Sequence, residues 1–172
     1  MNLKLEKPSI ITITGSENSQ RNAIVYEVAQ RYKRDGGIIV FSPRIGETVP
    51  HAFNGAVKVY TTQADNCILA HAQEDIDKAA DLIMDGINTL YDDIRDNCTG
   101  RPQAIRPLTI IRDLDIIFSA TQKDDYTDAL FSIISDLRDT YGFSVFLDLG
   151  SFEHLWGLAD DNFIKSYNLA DI

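Results

Sequence analysis

Short apolar runs bounded by turn residues alternate along this chain with longer segments whose apolar positions recur at helical spacing. That alternation predicts an α/β fold of three layers, a mostly parallel sheet covered by helices on both faces. Ser9-Ile10-Ile11-Thr12-Ile13-Thr14 follows Pro8 and ends at Gly15, and its β-branched density predicts a buried strand. Ala23, Ile24, Val25, Val28, Ala29 and Tyr32 mark one face of a helix that runs to about Lys33 and is ended by Gly36-Gly37. Ile38-Ile39-Val40-Phe41 is then a second strand.

From Ser42 to Gly55 the chain carries two prolines and two glycines with little periodicity, the signature of an ordered surface loop. Ala56-Val57-Lys58-Val59-Tyr60 alternates, as a short strand near a sheet edge does, whereas Cys67-Ile68-Leu69-Ala70 suits either a strand or a helix start. From about Glu74 to Arg95 the apolar positions Ile76, Ala79, Ala80, Leu82, Ile83, Ile87, Leu90, Tyr91 and Ile94 predict the longest helix, with only Gly86 interrupting it. Leu108-Thr109-Ile110-Ile111 restarts the sheet before Arg112-Asp113-Leu114-Asp115. Tyr126, Ala129, Leu130, Ile133, Ile134 and Leu137 predict another amphipathic helix, ended by Gly142, and Ser144-Val145-Phe146-Leu147 a further strand. The segment from Gly150 to Ile172 reads as short helical turns.

With 172 residues, 44% of them hydrophobic and 24% charged, the chain has the size of one domain with a sizeable core. Its balance of 16 basic and 26 acidic residues, a net charge of -10, opposes any role driven by neutralising a phosphate backbone, so neither free nucleic acid nor an anionic membrane surface is an expected partner. Cys67 and Cys98 form no framework and have no metal-ligand spacing, which favours a reducing compartment. No stretch approaches the roughly 20 apolar residues needed to span a bilayer. The expectation is a cytoplasmic domain without direct membrane insertion, either standing alone or cut from a longer, membrane-tethered parent; Met1 does not decide between these.

The strongest chemical signal is positional. The strand at 9–14, the segment Gly15-Ser16-Glu17-Asn18-Ser19-Gln20-Arg21-Asn22 and the helix after it stand where a phosphate-binding loop would. A working loop needs a glycine before its lysine so that backbone N–H groups can wrap phosphate, the lysine to reach the terminal phosphates, and a hydroxyl to hold magnesium. Here Gly15 opens the loop, but Gln20 replaces that glycine, Arg21 the lysine and Asn22 the hydroxyl residue, and Glu17 adds negative charge. An arginine fork does not reproduce the point charge of an ammonium. Gly15, Ser16, Ser19, Gln20, Arg21 and Asn22 are thus the candidate ATP-binding residues of an impaired loop. The competing interpretation is an ordinary strand-to-helix turn with Asn18 or Ser19 capping the helix.

Phosphate-loop ATPases end the strand beside the first one in an acid that holds magnesium, usually with a second acid that activates water. Asp113 is the candidate for either part, catalytic or metal-binding. If it holds magnesium, Leu114 fills the base position; if it is the base, Arg112 fills the magnesium position and would repel the cation. The alternative is that Asp113 and Asp115 begin a solvated loop or cap a turn.

Taken together, the order of these segments resembles the FtsK/SpoIIIE-type motor ATPases, and among them the degenerate C-terminal ATPase module of EssC-type coupling proteins of type VIIb secretion. The loop at Gly15 to Asn22 is followed by a strand ending in Phe41-Ser42-Pro43-Arg44, where the motors carry an aspartate-proline-lysine-like turn. Next come the strand near Val59-Tyr60, the long helix ending in Leu90-Tyr91-Asp92-Asp93-Ile94-Arg95, and the acid-tipped strand from Leu108 to Asp113. Gly142-Phe143-Ser144-Val145-Phe146-Leu147, ending at Asp148, matches a glycine turn and a strand at a sensor position. The resemblance spans about residues 8 to 150 and implies a P-loop NTPase-like (RecA/FtsK-like) fold, with ATP and magnesium as the associated cofactors. It also implies a module in which hydrolysis is lost and the scaffold kept, one that binds secreted protein substrates or neighbouring ATPase modules, or regulates the active one.

For a partner surface the candidates are Phe152, Trp156 and Phe163 in the aromatic-rich end, which also holds His154, Leu155 and Tyr167. The alternative for Trp156 and Phe163 is completion of a core. His51, His71 and His154 are scattered without ligand spacing, so no metal site is expected of them. Two rival functions stand beside the impaired module: an active ATP-hydrolysing motor or DNA translocase with arginine replacing lysine, and a free-standing phosphate-handling enzyme with its catalytic groups between Ser42 and Gly55.

Overall fold

A computed structural model describes residues 8–14, 18–34, 39–42, 58–59, 72–98, 108–112, 114–148 and 164–168. In chain order the elements are β1 (Ile10–Thr14), α1 (Asn18–Arg34), β2 (Ile39–Ser42), β3 (Lys58–Val59), α2 (Gln73–Cys98), β4 (Leu108–Ile111), α3 (Leu114–Ser119), α4 (Lys123–Asp139), β5 (Ser144–Asp148) and β6 (Ile164–Asn168). The strands form one open sheet in the order β3-β2-β4-β5-β1-β6, and every neighbouring pair is parallel. Parallel strands need crossover connections, and α1, α2 and the α3–α4 pair supply them for β1–β2, β3–β4 and β4–β5.

Alternation along the strands sorts the sheet into two faces. Ile10, Ile111, Val145 and Leu147 join a core with Ile83, Ile87, Leu90 and Ile94 of α2, Leu114, Ile117 and Phe118 of α3, and Leu130, Ile134 and Leu137 of α4. Ile11, Ile13, Ile110 and Phe146 point the other way and are also fully buried. That second face belongs to α1, whose buried row Arg21, Val25, Val28, Ala29 follows helical spacing. At the end of α4, Gly142 takes a left-handed φ of +71°, which lets the Phe143 N–H turn back to the Leu137 carbonyl at 2.8 Å and start β5.

Polar clamps hold α2 to the α3–α4 hairpin. Asp77 accepts from Gln73 Nε2 at 2.9 Å and from the N–H and hydroxyl of Thr121, each at 2.8 Å. Gln73 Nε2 also donates to the Ser119 carbonyl at 3.0 Å. Tyr91 donates to Asp136 at 2.5 Å and meets Tyr141 edge to face, and Tyr126 donates to Asp81.

Several expectations change. The segment from Gly150 to Ile172, read as short helical turns, contains β6, which pairs with β1 from Ile10↔Ile164 to Thr14↔Asn168. Ile164-Lys165-Ser166-Tyr167-Asn168 is a five-residue edge strand with a single aliphatic residue, too short and too polar to announce its period. Strand β4 does not lie beside β1; β5 runs between them. Residues 114–119 form α3 rather than a loop, because Leu114, Ile117 and Phe118 give it a buried side. Helix α1 starts at Asn18, so Asn18 and Ser19 lie inside its first turn and not ahead of it. Helix α2, by contrast, runs unbroken through Gly86 as expected, its buried row continuing through Ile83, Ile87 and Leu90. Among the described residues no helix is long and apolar enough to cross a membrane.

Candidate functional site

Among the described residues, the carboxyl ends of β4 and β5 carry the most unusual chemistry. On β5 the residues facing α1 are Ser144, Phe146 and Asp148; on β4 the same face holds Leu108 and Ile110, and the next position in that alternation is Arg112. The parallel register pairs Ile111 with Leu147, so Arg112 and Asp148 are adjacent one step further along. On the other flank Ile13 of β1 pairs with Asp148. Period-two alternation therefore carries one arginine and one aspartate to the end of the sheet, beneath the start of α1.

Helix α1 completes the group. Arg21 Nε donates to one oxygen of Asp148 at 2.8 Å, and Arg112 Nε donates to the other at 2.9 Å. Arg112 Nη2 donates to Asn22 Oδ1, and the Arg112 guanidinium lies 5.9 Å from the centre of the Tyr26 ring, within cation–π range. Asn22 and Tyr26 are one helical turn apart, a row beside the one Arg21 begins, so the same side of α1 that carries Arg21 also holds Arg112. Arg21 is 4% exposed, Arg112 1% and Asp148 1%. Three ionic side chains with almost no contact with water, bonded at charge-assisted distances, form a fixed element and not a fluctuating surface pair.

The chemistry open to this group is narrow. Both carboxylate oxygens of Asp148 are engaged by guanidinium N–H donors, so the carboxylate is not placed to take a proton from a substrate. Arginine does not deprotonate in proteins and supplies no base. The geometry suits recognition of an oxyanion, and the oxyanion it holds is the chain's own.

The candidate residues fall unevenly around it. Arg21 and Asn22 are brought together, each bonded into the cluster. Gln20 is exposed, and Ser19 lies in the first turn of α1. Gly15, Ser16, Asp113, Phe152, Trp156 and Phe163 lie outside the described residues, as do His51, His71, His154 and the span from 43 to 55. Among the described residues, the two arginines are not placed for a magnesium triphosphate: the one standing for the lysine is turned to Asp148, and Arg112, next to Asp113 in sequence, is bonded to the same carboxylate. Asp148 is the member that sequence reasoning missed. It was visible as the end of a strand, and its signal was the shared alternation of Ser144, Phe146, Asp148 and Leu108, Ile110, Arg112.

Elsewhere titration is shifted without a comparable cluster. The Tyr91 phenol is pushed up to about 12 by its hydrogen bond to Asp136, and Tyr126 likewise by its bond to Asp81. The Thr121 backbone N–H, with Gln73 and the Thr121 hydroxyl, lowers Asp77 below the usual carboxylate range. Among the described residues no three His, Cys, Asp or Glu side chains gather as a metal site would.

No protein-family model matches the chain, and no curated protein matches it.

Proposed function

We propose that this chain is a catalytically impaired, P-loop NTPase-like module that serves a type VII secretion motor by binding secreted or neighbouring proteins, or by regulating the active module, and does not itself hydrolyse ATP. The observation that carries the reading is the joint capture of Asp148 by Arg21 and Arg112. The position a lysine would use to reach phosphate is committed to an internal carboxylate. The strand tip where a magnesium-binding acid is needed presents a buried cation, and like charge there disfavours a second. The strand the resemblance assigns to the sensor position, β5, brings in that carboxylate between β1 and β4.

Calorimetry with magnesium-ATP tests the impairment. The expected result is no saturable heat; a dissociation constant tighter than about 10 μM, roughly -7 kcal/mol, would overturn it. Steady-state ATP turnover abolished by Asp113→Asn would establish the active motor instead. Deleting this segment from its gene is expected to stop export by the secretion system, and unchanged export would sink the secretion assignment.

A further inference from the structure

We infer that Asp148 is a built-in ligand, an internal carboxylate that permanently fills an arginine-lined oxyanion cradle at the carboxyl ends of β4 and β5 and shuts external anions out. The inference rests on the impaired-module reading and deepens it, by naming what occupies the site and stating that the occupancy is constitutive. Two guanidinium groups from different elements each take one oxygen of the same carboxylate, at 2.8 and 2.9 Å. Planar guanidinium donors are shaped for such two-oxygen recognition, whether the oxyanion is a carboxylate or a phosphate. Asn22 fixes Arg112 from the helix side, so the cradle is positioned from α1 as well as from the sheet.

The carboxylate is also unable to leave. Asp148 ends a strand with a parallel neighbour on each side, its backbone registered against Ile13 of β1 and its predecessor Leu147 against Ile111 of β4. Swinging the side chain out would drive an ionised carboxylate through packed surroundings and leave two buried guanidinium groups without the oxygens they now hold. Both guanidinium side chains are nearly inaccessible, so an incoming anion has no route that leaves the pair intact. The device is therefore a plug and not a switch, and the domain holds one state whatever the nucleotide concentration.

Removing the plug should create the site it hides. In Asp148→Ala each guanidinium loses the oxygen that its Nε now holds, and a small oxyanion can take that place. Thermal unfolding of wild type and Asp148→Ala is followed in sodium formate and in sodium phosphate against sodium chloride at equal ionic strength. The variant's midpoint should rise saturably in formate or phosphate, by about 5–10 °C when the anion exceeds its dissociation constant roughly 100-fold. Wild type should move no more than it does in chloride, and adding Arg112→Met to the variant should remove the response.

Equal responses of wild type and variant, no response of the variant, or a response that survives Arg112→Met would each overturn the inference. If Asp148→Ala does not fold in chloride, refolding in formate replaces the melt: recovery of the native circular dichroism spectrum supports the plug, and equal failure in both salts refutes it. Asp148→Asn, which keeps the side-chain volume, should show no saturable anion response, and a saturable one counts against the proposal. Failure of the impaired-module reading shows in wild type as binding of magnesium-ATP. Failure of this inference shows in Asp148→Ala as indifference to formate, so the two are separable.

Discussion

The two faces of the sheet are built on opposite principles. Beneath α2, α3 and α4 the interior is aliphatic and aromatic apart from buried threonines such as Thr12 and Thr109, and charge is kept to the outside. Helix α2 carries eight acidic residues against Lys78 and Arg95, and α4 carries five against Lys123 and Arg138, so these two helices account for most of the net charge of -10. Beneath α1 the interior itself is ionic at one end, and α1 carries four basic residues against Glu27 alone. A buried ion pair recovers its desolvation cost only when geometry and hydrogen bonding are complete, whereas apolar burial gains in proportion to area. The difference teaches where specificity lies: the α2 side can be repacked by volume, while the α1 side tolerates only groups that keep every charge partnered.

The sharpest way to break this contrast is on the ionic side. Asp148→Asn keeps the shape and removes the charge both arginines face, and should cost about 3–5 kcal/mol in denaturant unfolding. Replacing the three ionic residues together, as Arg21→Met, Arg112→Leu and Asp148→Leu, should recover most of that loss, because the three mutually bonded charges are removed as a set. A triple variant as unstable as Asp148→Asn would show that the α1 face is not governed by charge pairing. On the apolar side Leu137→Ala, fully buried against β5 and α2, should cost about 2–5 kcal/mol by transfer and cavity terms together, with no rescue by a second substitution of charge.

The sequence was most legible where one period ruled a whole element. The buried row of α2, from Ala79 to Ile94, and the four-residue run of β4 gave their own boundaries to within a few residues. It was least legible where tertiary pairing supplied what the local pattern lacked. The polar strand β6 exists because β1 offers it an open edge, and α3 exists because α2 and α4 leave a groove that Leu114, Ile117 and Phe118 fill. At the site, the position of Arg21 at the head of α1 was readable, but its partner was not. A strand order that inserts β5 between β1 and β4 cannot be deduced from spacing, and without that order Asp148 is only the last residue of a strand.

A smaller effect tests the comparison from the other side. Thr109 lies on the face of β4 that looks toward α2, in register with Val145, and its hydroxyl is the one buried side-chain polar atom without a hydrogen-bond partner among the described residues. An unpaired buried hydroxyl costs about 1–3 kcal/mol relative to a paired one. Thr109→Val keeps the branched shape and removes the polar atom, so it should raise stability by about 1 kcal/mol. A loss of stability of that size would mean that the hydroxyl is satisfied and that the α2 face accommodates a paired polar group.

The mildest test uses pH, and its two limbs have opposite signs. On the outer side of the α2–α4 pair, Tyr91 donates to Asp136, and that bond, with burial and the nearby negative charge, pushes the phenol from 10.0 up to about 12. The folded chain thus holds this proton more tightly than the unfolded chain does. Stability from the bond is complete below the unfolded value near 10 and falls as pH rises toward about 12, because the unfolded state then binds fewer protons. Asp77 behaves the other way: its carboxylate is held below the ordinary value of 3.8 by Thr121 and Gln73, so its contribution is present above that value and is lost as pH falls through the folded one. Unfolding measured along both limbs, with phenolate absorbance on the alkaline side, should show each effect, and Tyr91→Phe should remove the alkaline slope that Tyr91 contributes. The slopes are small because both groups are only partly buried and water still screens them. If Tyr91→Phe left the alkaline slope unchanged, the Tyr91–Asp136 bond would not exist in solution, and α2 would be held to α4 by the Tyr126–Asp81 bond and the apolar underside.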